Sequence, residues 1–203
     1  MKKVVVFDLD GTLIDSRNIY IDTIHNSLLE HYFIYPKSHI SRALGPKVEI
    51  TLNNIKKFDR KTLKKLKDNI NKDITKKAKR IKLAPYTKEA LKKLKSKGYA
   101  IILLTNSAGR FANAILRKNK ISRYFSKTYF SENFSRKEDA IKAIAKKYRI
   151  KAREIIYIAD KMSDVKIARK AGCKIIITLA VSWDKKKVQG KRYTINSLNK
   201  LNI

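Results

Sequence analysis

Two aspartates separated by one leucine, Asp8 and Asp10, stand where an apolar run ends: Val4 to Phe7, then Asp8, Leu9, Asp10, Gly11 and Thr12. Strand alternation puts the side chains of Asp8 and Asp10 on one side and turns Leu9 to the other. Carboxylates held that close repel, and the pair would partly protonate unless a cation sat between them. The chemistry this asks for is a hard oxygen site. It suits magnesium, which keeps several waters and shares its coordination sphere with a substrate phosphate. Gly11 lets the chain turn off the strand tip, where the following amides can face an anion. An Asp-x-Asp pair alone could equally be an acidic turn after an edge strand; the complete run through Gly11 and Thr12 is far more specific.

Three further stretches carry polar groups at the ends of apolar runs. In YAIILLTNSAGR the run stops at Thr105, Asn106 and Ser107. A parallel βαβ order places these at the same carboxyl edge as Asp8. Their small hydroxyl and amide groups, with the amides of the next helix, can bind phosphate oxygens; they can equally cap that helix. In SRKEDAIKAIAKKYRI a helix opens at about Ser135 with Arg136 and Lys137 at its start. In EIIYIADKMSDVKIARKAGC the apolar strand Ile155 to Ala159 leads to Asp160, with Asp164 four residues on. Asp164 could simply cap its helix, but Asp160 at a strand tip wants a partner.

The elements that position these groups read as an alternating α/β chain with one interruption. After the first strand, Ile19 to Tyr35 has Ile21, Ile24, Leu28 and Leu29 on one helical face and stops at Pro36. A short helix, a break at Gly45 and Pro46 and a second helix follow, and Lys56 to Arg80 is a strongly basic amphipathic helix or two. Nothing from Arg17 to about Leu83 looks like a strand. From Thr87 the pattern becomes helix to Lys97, closed by Gly98, then strand, then helix from about Arg110 to Asn119. KTYFSEN reads as a short third strand, KIIITLAV as a fifth, and Lys185 to Ile203 as a basic loop with a short terminal helix.

The hydrophobic strand followed by DLDGT, with TNS, the Lys137 helix and the D-x-x-x-D pair in order behind it, resembles the haloacid dehalogenase (HAD) superfamily of phosphatases and phosphotransferases. The similarity extends to its phosphoglycolate phosphatase-like subgroup, which carries a helical cap after the first motif. The four motifs run from residue 4 to about residue 173. The resemblance implies a Rossmann-like α/β core of five mainly parallel strands at 1–16 and 84–203, with an all-helical cap at 17–83 that chooses the substrate. It implies that Asp8 attacks phosphorus and that Asp10 protonates the leaving oxygen and then deprotonates water. Mg²⁺ would be held by Asp8, the backbone carbonyl of Asp10, Asp160 and Asp164. Lys137 would neutralise nucleophile and phosphate, and Thr105, Asn106, Gly11 and Thr12 would bind the phosphate. Arg42 and Lys47, beside the cap's break, are candidates to meet the rest of the substrate and are equally plain surface charges. Three departures stand out: Glu138 occupies a position where many relatives have proline, which leaves Arg136 a rival to Lys137; Ala159 replaces a more usual glycine; and Lys161 is unusual in its place. HAD dehalogenases lack the second aspartate, so Asp10 argues for phosphoryl transfer.

Composition bounds the reading. The chain has 203 residues, 43% of them hydrophobic, enough for one good core and a small appended domain. Its single cysteine, Cys173, cannot form an internal disulfide, and neither a signal peptide nor an apolar run of the roughly 20 residues needed to span a bilayer is expected. The expectation is a cytoplasmic protein, monomer or dimer, acting on a small phosphorylated metabolite. The formal charge of +32 must attract polyanions. The lysines are nonetheless spread through nearly every helix-like segment, so nucleic acid is a possible partner and not the favoured one. Three alternatives remain: a phosphatase of nucleotides or nucleic-acid ends, a sugar phosphomutase, and a non-catalytic basic nucleic-acid-binding module.

Overall fold

The computed structural model describes residues 3–203. In chain order the elements are β1 (Val4–Phe7), β2 (Ile14–Asp15), α1 (Arg17–Leu29), α2 (Lys37–Ala43), α3 (Val48–Ile55), α4 (Arg60–Lys77), β3 (Lys82–Leu83), α5 (Thr87–Ser96), β4 (Ala100–Leu104) and α6 (Gly109–Lys118). They continue as β5 (Lys127–Tyr129), α7 (Lys137–Tyr148), β6 (Ile155–Ala159), α8 (Met162–Ala171), β7 (Lys174–Thr178), α9 (Lys185–Val188) and β8 (Thr194–Ile195). Two compact units result, one of residues Met1–Asp15 and Lys82–Ile203, the other of Ser16–Ile81.

The first unit is a Rossmann-like α/β sheet of six strands in the order β5-β4-β1-β6-β7-β8, every neighbouring pair parallel. The apolar run Val4–Phe7 lies at its centre, buried on both faces as a parallel strand must be. Val4, Val6, Ile155, Tyr157 and Ala159 face α7 and α8, packing with Ile141, Ile144, Val165 and Ala168. The sheet has one strand more than the five expected. Thr194 and Ile195 pair with Ile177 and Thr178 of β7 inside a stretch that reads as a basic loop, because two residues are too few to leave a periodic signal.

A second difference lies where the helical segment departs and returns. Ile14 pairs with Leu83 and Asp15 with Lys82 in a two-stranded antiparallel ribbon, although the sequence to Leu83 carries no strand pattern. Among the described residues no helix is long and apolar enough to cross a membrane. Burial pushes the Cys173 thiol up to about 11, so it stays protonated near neutrality.

The second unit is helical throughout. Its core forms from Ile21, Ile24 and Leu28 of α1, Ile40 of α2, Leu52 of α3 and Leu66, Ile70 and Ile74 of α4. Asp59 caps α4 by accepting from the Thr62 amide at 2.9 Å. The helix α1 ends at Leu29, well before Pro36, and Tyr32 adopts a left-handed φ of 61° in the turn that follows. Pro36 instead precedes α2, a position that suits its fixed φ and missing amide hydrogen.

Candidate active site

Parallel strands place their carboxyl ends along one edge, and Asp8, Thr105 and Asp160 follow β1, β4 and β6 directly. Alternation along β1 puts Asp8 on the face of Val4 and Val6, which α7 and α8 cover. Lys137 is the first residue of α7 and is only 4% exposed. Its Nζ lies 2.8 Å from Asp8 Oδ2 and 3.6 Å from Asp164 Oδ1. Arg136 is turned outward and pairs with Glu138 and Asp139. Of the two basic residues at this helix start, it is Lys137 that meets Asp8.

Asp8, Asp160 and Asp164 each offer one carboxylate oxygen, and the three lie within 4.8 Å of one another. Burial raises the Asp8 pKa above its ordinary value against the opposing pull of Lys137, and Asp164 raises it further. Burial also drives Asp160 well up, with Asp164 and Asp8 adding to it and Lys161 opposing. At Lys137 burial pulls downward, but Asp8 and Asp164 outweigh it and hold the ammonium above its usual pKa. Such a cluster is short of positive charge. Asp160 Oδ2 accepts from the Trp183 amide at 2.8 Å, while its Oδ1 is buried with no hydrogen-bond partner. An orphaned carboxylate oxygen among three acidic side chains is the donor set a hard divalent cation requires, so the residues fit magnesium.

Gly11 stands at φ +74°, and a Cβ there would lie 2.2 Å from Asp160 Oδ2 and 2.9 Å from Trp183 Cδ1. The glycine is therefore demanded by backbone conformation and by close approach together. Ser107 Oγ donates to Asp10 Oδ2, and the Ser107 amide donates to Thr105 Oγ1 at 3.0 Å. The stretch after β4 thus holds the second aspartate through Ser107. Asn106 is half-buried beside them, and Thr12 is fully buried with its hydroxyl unpartnered. The first amide of α6, at Gly109, is already taken by the Glu132 carboxylate at 2.9 Å, so that helix end does not offer it to an anion. Arg42 is exposed in the last turn of α2, and Lys47 is half-buried just before α3, both in the helical unit.

Two groups at this edge escaped sequence reasoning. Tyr157, fully buried in β6, accepts from Lys137 Nζ and donates to Asp164 Oδ1, both at 2.8 Å. Burial, with Asp164 and Asp8, pushes its phenol well above the ordinary value, so the hydroxyl stays protonated and can donate. Its one signal in the sequence is a polar tip inside an apolar strand on the face that α7 and α8 cover. Trp183 is the other, its backbone amide donating to Asp160 Oδ2; nothing in its local sequence marks it.

A chain that places Asp-x-Asp and Asp160 on adjacent strand ends of a parallel sheet, and brings a buried lysine and a second carboxylate to them from helices α7 and α8, has the architecture of a HAD-type enzyme. Residues 5–178 match the family model for haloacid dehalogenase-like hydrolases, and the chain belongs to that family. It is 31% identical over 94 residues to a phosphoglycolate phosphatase of Vibrio parahaemolyticus, an alignment covering 45% of this chain and 41% of the relative. To the phosphoglycolate phosphatase of Aquifex aeolicus it is 27% identical over 186 residues, 87% of this chain and 84% of the relative. The fold is shared with CbbY of Rhodobacter sphaeroides, solved in complex with phosphate, at a TM-score of 0.85 and 13% identity, with 100% of this chain and 97% of that one covered.

Proposed function

We propose that this hydrolase is a Mg²⁺-dependent phosphatase of a small phosphomonoester, similar to phosphoglycolate phosphatases, working through an aspartyl phosphate on Asp8. The observation that carries the proposal is the buried contact of Lys137 Nζ with Asp8 Oδ2 at 2.8 Å beside Asp160 and Asp164. A free-standing phosphate dianion would be repelled by three carboxylates, and Lys137 supplies part of the missing charge. Mg²⁺, held by Asp8, Asp160, Asp164 and the backbone carbonyl of Asp10, would supply the remainder and act as a Lewis acid toward the phosphoryl oxygens.

Asp8 attacks phosphorus through a carboxylate oxygen, and the bond to the leaving oxygen breaks. Asp10, oriented by Ser107, gives that oxygen a proton. It then takes one from the water that attacks the aspartyl phosphate, releasing inorganic phosphate and returning Asp8 to its carboxylate. Thr105, Asn106, Gly11 and Thr12 bind the phosphate oxygens, and Tyr157 keeps Lys137 in place. The helical unit acts as the cap that selects the substrate, with Arg42 and Lys47 meeting its end remote from the phosphate.

The test is inorganic phosphate release from phosphoglycolate, hexose phosphates, nucleotides and a 3′-phosphorylated oligonucleotide, with and without Mg²⁺. Magnesium-dependent release from one small substrate, lost in Asp8→Asn, is the expected result. Full magnesium-dependent activity in Asp8→Asn would overturn the mechanism, and preference for the oligonucleotide would overturn the substrate class.

A further inference from the structure

The segment after β7 is gathered onto the start of α8 by a closed set of contacts that no catalytic step above uses. Ser182 Oγ donates to the backbone carbonyl of Asp160 at 2.6 Å, and the Trp183 amide donates to Asp160 Oδ2 at 2.8 Å. The Met162 amide donates to Asp184 Oδ2 at 3.3 Å, and the Asp184 amide donates to Ser182 Oγ at 3.1 Å. Lys161 Nζ lies 3.9 Å from the centre of the Trp183 ring, within cation–π range. Three consecutive residues, 182–184, thus hold three consecutive residues, 160–162, by main chain and side chain at once.

The consequence falls on one carboxylate. Asp160 is gripped at its carbonyl and at Oδ2, which fixes the rotation of its side chain and leaves Oδ1 as the unpartnered atom. Packing alone would not demand this, since a loop can cover a strand end without bonding both ends of a single acidic residue. The pattern is the one by which outer groups orient a metal ligand and hold its presented oxygen ready. Gly11 completes the arrangement, because the space its missing Cβ leaves is filled by Asp160 Oδ2 and Trp183 Cδ1.

We propose that Ser182, Trp183 and Asp184 form a positioning strap for Asp160 that sets the affinity of the site for its divalent cation. The proposal rests on the reading that Asp160 is a metal ligand. Ser182 is its keystone, since one hydroxyl both donates to Asp160 and accepts from Asp184.

Binding of Mn²⁺, a hard ion with the same preference for oxygen ligands, can be counted directly from the free-ion signal in electron paramagnetic resonance, without turnover. Wild type, Ser182→Ala, Ser182→Thr and Asp160→Asn are titrated with MnCl₂ alone, and thermal unfolding of each is followed without metal. The strap predicts that Ser182→Ala weakens Mn²⁺ binding by about tenfold or more and that Ser182→Thr, which keeps the hydroxyl, restores it. Asp160→Asn should abolish binding. A Ser182→Ala protein that binds Mn²⁺ within about twofold of wild type, well short of the loss an outer-group substitution causes, overturns the strap and leaves the metal site standing. Unchanged binding in Asp160→Asn overturns the metal reading itself, and the strap with it. Should Ser182→Ala fail to fold, Ser182→Thr decides: weak binding in a folded Ser182→Thr counts against the hydroxyl as the operative group.

Discussion

Removing the charge of Lys137 while keeping its bulk, as in Lys137→Met, should destabilise the metal-free protein more than almost any other single change at this edge. The ammonium is buried against Asp8 and Asp164, and three carboxylates share the same small volume. Breaking a buried ion pair from one side costs about 3–5 kcal/mol. In a chain of this length each kcal/mol moves the melting temperature by roughly 2–4 °C, so the expected fall is about 6–20 °C at pH 7. Its pH dependence gives a second check. Asp8 and Asp160 have folded pKa values above the ordinary 3.8. The folded state therefore retains protons that the unfolded chain has lost, and the stability this gives is complete below the unfolded pKa and disappears as pH rises through the folded pKa. Without Lys137 the folded pKa of Asp8 climbs further, so the deficit must widen from about pH 4 to neutrality. Mg²⁺ should narrow it. The assay is calorimetry across that range with and without Mg²⁺. A melting temperature within about 2 °C of wild type at pH 7 without metal, or a deficit larger in acid than at neutrality, would refute the electrostatic reasoning.

Tyr157→Phe deletes a hydroxyl bonded to both Lys137 and Asp164, and the expected loss is about 1.5–3 kcal/mol in urea unfolding; an unchanged midpoint would remove Tyr157 from the network. Gly11→Ala drives a Cβ into Asp160 Oδ2, and since a displacement near 1 Å can cost about 100-fold, phosphate release should fall by that order while the far-ultraviolet circular dichroism is retained. Release close to wild type would show that the strand tip can yield. The charge of +32 attracts an anionic substrate and repels Mg²⁺, so added salt should raise KM while lowering the Mg²⁺ concentration needed for half-maximal rate. Salt responses of the same sign would refute a field effect of the whole surface.

Much of this was legible locally. The run Val4–Phe7 declares a buried parallel strand because it is apolar without alternation, and Asp8, Gly11, Thr105 and Asp160 stand out because polar residues end such runs abruptly. The helices of residues 16–81 follow from their 3.6-residue pattern. The two-residue strands β2, β3 and β8 left no pattern, since pairing so short is decided by what lies alongside. The α1 terminus also moved: apolar residues continue to Tyr35, yet the helix ends at Leu29 and Tyr32 turns left-handed.

What the sequence by itself determined is which side chains end the strands and in what order, because strand and helix periods are properties of consecutive residues. Which cation meets Asp8 was decided only in three dimensions. Arg136 and Lys137 are adjacent and both basic, but helix α7 starts so that one points inward to Asp8 and the other outward to Glu138. Tyr157 gained its role in the same way, through α7 and α8 packing on one face of β6 and bringing a lysine and an aspartate to the same hydroxyl. Trp183 reached Asp160 from 23 residues away. Contacts of that kind depend on where separate elements come to rest, and no local pattern of residues encodes them.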